Sequence, residues 1–183
     1  MTQEEALKLL QEKIKNQNLI KHSLAVEACM KALADYFGED GEKWALAGLL
    51  HDIDYEETKN NPKEHSLKGA EILKNLGLDN DIVEAVKTHN EIHNICPATK
   101  MAKTLFSVDP LTGLIVAATL VLPDRKISSL TVENVLNRFK EKSFARGANR
   151  EIIKKCEDIN ISLEKFIEIC LIAMQKISDE LGL

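Results

Sequence analysis

The sequence predicts an all-α fold, and three observations carry that reading. Apolar residues recur at helical spacing along nearly the whole chain. Residues suited to start and stop helices flank those periodic runs. Only 8 Gly and 4 Pro occur among 183 residues, too few for the many tight turns of an all-β architecture.

The elements follow in order. Thr2 and Glu5 form a capping-box pattern ahead of Ala6, Leu9, Leu10 and Ile14. Asn18 is the expected cap of a second helix running to about Phe37, stopped by Gly38, with Leu24, Ala28, Ala32 and Leu33 inward. A third helix is expected from about Gly41 to Asp52. Tyr55 to Asn61 is polar and reads as a loop. Pro62 is suited to open the next helix, which carries His65, Leu67, Ala70, Ile72 and Leu73 and ends at Gly77. Asp79 caps a fifth, through Ile82, Val83, Val86 and His89. After a break over 90–97, helical patterning runs from about Ala98 to Val108. Asp109-Pro110 is expected to interrupt it, because proline disfavours helical dihedrals in the preceding residue. A buried helix then reaches Leu122. Three amphipathic helices complete the chain, over about 132–142, 149–158 and 162–181. No repeat and no Gly/Ser-rich linker divides the sequence. The expectation is a single domain over 1–183, with a functional core over about 18–125 and a helical extension over about 126–183.

Composition narrows the function. The chain is 44% hydrophobic and 29% charged, an ordinary globular balance. With 24 Lys and Arg against 29 Asp and Glu, the net charge is −5, which argues against a generally basic nucleic-acid surface. The longest apolar run, Gly113 to Pro123, is too short to span a bilayer and reads as a buried helix. Residues 1–15 are charged and amphipathic, without the apolar region of a signal peptide. The four cysteines (Cys29, Cys96, Cys156, Cys170) form no CxxC pair and read as reduced residues, so the expected location is cytoplasmic.

The five histidines all lie between His22 and His93. His51-Asp52 follows an apolar run, AGLLHDID. Adjacent helical residues point about 100° apart, so the pair can serve one metal only where the helix ends and the backbone turns. Imidazole and carboxylate together suit divalent Zn, Fe, Mn, Ni or Co. Asp109 sits in an apolar stretch, LFSVDPLTGLIV, where a carboxylate must be paired, capping or coordinating.

His22 in KHSLAVEACMKALA, His51-Asp52 in ALAGLLHDID, and Asp109 in a helical run resemble the ordered H…HD…D signature of the HD-domain metal-dependent phosphohydrolase superfamily. The resemblance implies an all-helical core in which His22, His51, Asp52 and Asp109 hold one metal. His65 in KEHSLKGAEIL and His89 in KTHNE match the further ligands of the two-metal branches, with Asp52 bridging. The implied cofactor is a divalent metal, as two ions, with Fe, Mn, Ni, Co, Zn and Mg not distinguished. The sequence also departs from relatives of this kind. The doublet continues HDID rather than HDIG, no GYP signature follows, and Tyr55 stands where an HDxxK lysine would be.

The implied function is cleavage of a phosphate ester or anhydride, of a nucleotide, by a metal-bound hydroxide at a binuclear site. Lys68, three residues after His65, is a candidate to assist the leaving group. Asp54 and Glu91 are candidates to orient a ligand histidine. Lys126 (beside Arg125), Arg146 and Arg150 are candidate phosphate-binding cations. His93 reads as a surface or substrate-contact residue. The expected partner is a small phosphorylated molecule, with no nucleic-acid polymer and no membrane, and a homodimer is left open. The alternatives are a mononuclear nucleotidase and a non-catalytic metal- or nucleotide-binding signalling module.

Overall fold

A computed structural model describes residues 1–183. The fold is all-α: α1 (Gln3–Lys13), α2 (Gln17–Phe37), α3 (Gly41–Leu50), α4 (Tyr55–Thr58), α5 (Leu67–Asn75), α6 (Asn80–Thr88), α7 (Lys100–Leu120), α8 (Val132–Lys140), α9 (Arg150–Ile153), α10 (Leu163–Lys176) and α11 (Ser178–Leu181), with 3₁₀ turns at Glu91–His93, Ile127–Ser129 and Lys154–Ile159. The two 21-residue helices α2 and α7 form the centre. α2 packs on α3, α7 and α10, while α7 also receives α6, α8 and α9. One apolar cluster runs through the bundle, from Ala6 in α1 to Leu181 in α11. α7 is long and apolar enough to cross a membrane, but two-thirds of its most apolar window is buried inside the bundle.

The helix starts follow capping chemistry. Thr2 and Glu5 make the reciprocal capping box, and Asp79 caps α6 by accepting from the Asp81 amide. The cap of α2 is Asn16 rather than Asn18: the Asn16 side chain accepts from the Asn18 amide, which places Asn18 inside the first turn. Gly38 ends α2 in the left-handed region at φ 71°, a conformation glycine adopts without steric cost.

Several expectations are corrected. Tyr55–Thr58 forms a one-turn helix rather than a loop, tied by the Thr58 hydroxyl to the Asp54 carbonyl. Pro62 does not open a helix; 62–66 is a set of turns, and α5 starts only at Leu67. The expected helix over 149–158 is a short α9 followed by a 3₁₀ turn, and the expected 162–181 helix breaks at Ile177 into α10 and α11. Pro110 does not interrupt α7, which continues through it. Burial on both sides of Pro110, from Leu105 and Val108 to Leu111, Leu114 and Ile115, outweighs the cost of one lost backbone hydrogen bond and a disfavoured dihedral.

Candidate metal centre

α3 ends at Leu50, so His51 and Asp52 fall in the turn that follows it. His51 still has helical dihedrals (φ −59°, ψ −35°), and its Nε2 lies 3.5 Å from Asp52 Oδ2, so both side chains reach the same point. His22 reaches that point from the second turn of α2, Asp109 from the middle of α7, and His89 from the residue capping the C-terminus of α6. His65 comes from the turn before α5. The four rings form a chain. His22–His51, His51–His89 and His65–His89 all have centroids 5.1 Å apart and meet edge to face.

Each imidazole is held by its Nδ1. Thr112 Oγ1 lies 3.3 Å from His22 Nδ1 and donates its own hydrogen to the Asp109 carbonyl. His51 Nδ1 donates to the Gly48 carbonyl at 2.7 Å, and His89 Nδ1 to that of Val86 at 2.7 Å. His65 Nδ1 lies 2.9 Å from Asp54 Oδ1. A hydrogen on Nδ1 leaves Nε2 as the lone-pair nitrogen, the arrangement found around metal-ligating histidines. All four Nε2 atoms converge on the carboxylates.

Asp52 divides them. Its Oδ1 lies 3.2 Å from His65 Nε2 and 3.4 Å from His89 Nε2. Its Oδ2 lies 3.5 Å from His51 Nε2 and 3.9 Å from His22 Nε2. Asp109 Oδ1 joins the second pair, 3.1 Å from His22 and 3.9 Å from His51. His22 and His51 Nε2 are themselves only 3.2 Å apart. Donor atoms of His22, His51 and Asp109 lie within 4.8 Å of one another, as do those of His51, Asp52 and His89.

The donor set fits divalent cations. His89 Nε2 is buried and makes no hydrogen bond, a cost that ligation removes. Burial lowers the His51 pKa to about 4 against the opposing pull of Asp52 and Asp109, so the ring is neutral and ligand-ready at pH 7. Burial acts to raise the Asp52 and Asp109 carboxyls, yet the surrounding imidazoles hold both below the usual carboxylate range. Burial likewise acts to lower His65, but hydrogen bonds to Asp52 and Asp54 outweigh it and raise its pKa to about 10, so without an ion this ring carries a proton on Nε2 at pH 7 that ligation would have to displace. Four imidazoles and two carboxylates match the ligand preferences of first-row divalent metals.

Asp54 is fully covered and touches none of the converging Nε2 atoms. It accepts from His65 Nδ1, from the Ser66 amide at 2.9 Å and from the Gly69 amide at 2.8 Å. It therefore stands behind His65 and fixes the orientation of that ring, with no contact of its own to the converging nitrogens. Ser66 sits at φ 72°, strained for a residue with a Cβ, and the Asp54 bonds keep it there. His93 also acts on this turn, through Nε2 donating to the His65 carbonyl at 2.7 Å. Tyr55 lays its ring edge to face against His65, centroids 5.2 Å apart. Thr112 and the Gly48 and Val86 carbonyls escape the sequence reading, which names Tyr55 only as a departure from the HDxxK pattern. The i−3 spacing of Gly48 to His51 and of Val86 to His89 was the only available signal.

The candidate cations lie elsewhere. Lys68 pairs with Glu57 at 2.6 Å on the surface. Arg150 donates to the carbonyls of Phe139, Ala145, Ala148 and Phe144. Its guanidinium knits the 138–148 segment together, so its expected phosphate role is corrected to a structural one. Lys126 is exposed in the turn beyond α7. Arg146 is exposed next to Gly147, which lines the polar mouth of the centre with Asn90, Glu91 and Asn149. Glu91 does not reach a ligand histidine; it accepts from Asn149 Nδ2 at 2.9 Å across that mouth.

An all-helical bundle with imidazoles and carboxylates converging from five parts of the chain defines a metal-dependent hydrolase of the HD type. The HD domain family model matches residues 19–114, and the chain belongs to that family. Its curated relatives include proteins named Ribonuclease Y. The one from Nitratidesulfovibrio vulgaris is 31% identical over 169 residues, covering 91% of this chain and 32% of that protein. The one from Lawsonia intracellularis is 32% identical over 139 residues, covering 74% and 26%. The one from Thermotoga petrophila is 29% identical over 139 residues, covering 74% and 27%. The chain thus spans about a quarter to a third of the length of these relatives. No solved structure matches it at a significant level.

Proposed function

We propose that this protein is a phosphohydrolase that works with two divalent ions and cleaves a phosphate ester or anhydride of a nucleotide. The observation that carries the reading is the placement of Asp52, whose two oxygens face two different imidazole pairs. His22, His51 and Asp109 would hold one ion, His65 and His89 the other, with Asp52 shared. When bound, such ions polarise phosphoryl oxygens and acidify water. The chain's own residues do the rest. Thr112, Asp54 and the Gly48 and Val86 carbonyls fix the rings, which limits reorganisation during reaction. His22 and Asp109 keep side-chain exposures of 25% and 30% and form the open edge, while His51 is sealed. At the mouth the Asn90 amide is taken up by the Pro62 and His65 carbonyls and the Asn149 amide donates to Glu91, which leaves one Asn149 hydrogen for a phosphate. No Lys or Arg side chain makes up that mouth, so neutralisation of the phosphate falls to the ions and to Arg146 at its border.

A second reading, cleavage of RNA, is favoured by the name Ribonuclease Y on the relatives. It runs against the expectation of no nucleic-acid polymer. A non-catalytic module is disfavoured because all six ligand positions are filled by competent groups. The test is a product-release screen of manganese-loaded protein over nucleotides, cyclic nucleotides, dinucleoside polyphosphates and end-labelled RNA, beside metal analysis. The expected result is about two metal equivalents and turnover that Asp52→Ala abolishes together with metal binding. Turnover surviving that substitution would overturn the reading, and cleavage confined to labelled RNA would select the second one.

A further inference from the structure

The metal centre opens on two sides. One is the polar mouth, about 140 Å³, bounded by His65, His89 and Asp109. The other is a larger apolar groove of about 540 Å³ that begins at His22 and runs between α2 and α7. Its α7 wall is set by helical spacing. Gly113, Val116 and Leu120 follow Asp109 at steps of four, three and four residues, so they continue the face on which the metal-facing carboxylate stands. Its α2 wall carries His22, Lys21 and Asn18. The Lys21 ammonium lies against Gly182, and Leu181–Leu183 close the far side. At Gly113 a side chain would meet nothing within 4 Å, so glycine there keeps the entrance next to Asp109 wide.

We propose that this groove binds the nucleoside attached to the phosphate held at the metal centre; the proposal rests on the phosphohydrolase reading above. The volume lies within the roughly 300–1,000 Å³ range of small-molecule sites. The lining is a mostly apolar wall with one amide and one ammonium at its edge. That combination suits a flat base with a hydrogen-bonding rim and a hydroxylated sugar better than it suits a bare alkyl chain. The groove meets the centre at His22, which with Asp109 forms the exposed edge of the centre. A phosphate at the ions therefore directs its organic substituent along α7.

The test measures equilibrium binding of adenosine 5′-monophosphate, inorganic phosphate and octyl phosphate to the manganese-loaded full chain. The nucleotide is expected to bind at least tenfold more tightly than either of the others. Gly113→Met, which projects into open space on an exposed helix position, is expected to fold normally by thermal melting and to bring the nucleotide-to-phosphate ratio close to one. A ratio near one in the unaltered protein would overturn the proposal. So would a ratio that Gly113→Met leaves unchanged, or tighter binding of octyl phosphate, which would assign the groove to an alkyl group. The two readings fail separately. A nucleotide preference that Gly113→Met erases, without turnover of any substrate, supports the groove and overturns the hydrolase. Turnover without any nucleotide preference overturns the groove alone.

Discussion

Asp54 carries two jobs with one carboxylate: Oδ1 fixes the His65 ring, and Oδ2 holds the Ser66 and Gly69 amides. Removing it leaves buried donors without partners, at a cost of about 1–3 kcal/mol each where water cannot enter. Asp54→Ala is therefore expected to lower stability by about 2–4 kcal/mol in denaturant titration. On the two-ion proposal it should also weaken one metal equivalent by about 10–100-fold, the usual effect of losing a group that orients a ligand, while an ion bound by His22, His51 and Asp109 would keep its affinity. Titration calorimetry that shows both equivalents unchanged would remove Asp54 from the centre. Glu27 makes a second demand at this scale, remote from the metals. Burial, only partly offset by the Gln3 amide 2.5 Å away, raises its pKa to about 7. A raised carboxyl contributes most stability below its unfolded pKa, near 4.5, and that contribution is lost as pH rises through 7. Glu27→Gln cannot titrate. The variant should match the parent near pH 4.5 and become more stable by about 1–3 kcal/mol by pH 8. Parallel melting-temperature profiles across that range would contradict the burial argument.

At the scale of elements, the contact of α2 with α3 positions His22 against His51. Its closest point is Gly48, where an added Cβ would lie 2.9 Å from the Glu27 Cα and amide nitrogen and from the Val26 carbonyl. Those are backbone atoms of a helix and cannot swing aside. Gly48→Ala should cost about 1–3 kcal/mol by overpacking, although alanine is the better helix former by about 1 kcal/mol. Gly113→Ala in α7 supplies the contrast. It meets nothing, so the propensity gain stands alone, and a rise of about 0.5–1 kcal/mol is expected in the same chemical-denaturation assay. Equal effects at the two sites would refute the close-approach account. Gly48 also illustrates what was legible in advance. The periodicity of α3 could be read from AGLLHDID, because apolar spacing and the doublet are local signals, although the helix ends at Leu50 and not at Asp52 as that spacing suggests. The need for glycine at 48 could not, because the clash lies across space in α2. Pro110 is the same lesson with the opposite sign. Its local preference reads as a break, and burial along both halves of α7 overrides it. The converging histidines are legible because order and residue type persist in sequence, whereas the surroundings of Lys68 and Arg150 are not, because their partners, Glu57 and a ring of loop carbonyls, are set by the folded chain.

For the whole molecule, a metal bound at the centre would act as a cross-link. Its six candidate ligands come from α2, the turn after α3, the turn before α5, the end of α6 and the middle of α7. These parts are separated by up to 87 residues of chain, from His22 to Asp109 (109 − 22). In the metal-free protein the same groups crowd four imidazoles and two carboxylates into a largely buried space, with the His89 Nε2 unsatisfied and the His51 ring desolvated. A ligand that binds only the folded state stabilises it by mass action, by about 2.7 kcal/mol at a hundredfold excess over its dissociation constant. For a chain of this size each kcal/mol moves the melting temperature by roughly 2–4 °C. Stripping the protein with a chelator should therefore lower its melting temperature by about 5–10 °C, and restoring Mn²⁺ or Co²⁺ should recover it in a concentration-dependent way. Asp52→Ala separates this effect from any general action of the ions. The variant loses the carboxylate that both imidazole pairs face, so its melting temperature should be insensitive to both chelator and added metal. A variant that still gained several degrees on adding the ion would show that the stabilising site lies elsewhere in the molecule.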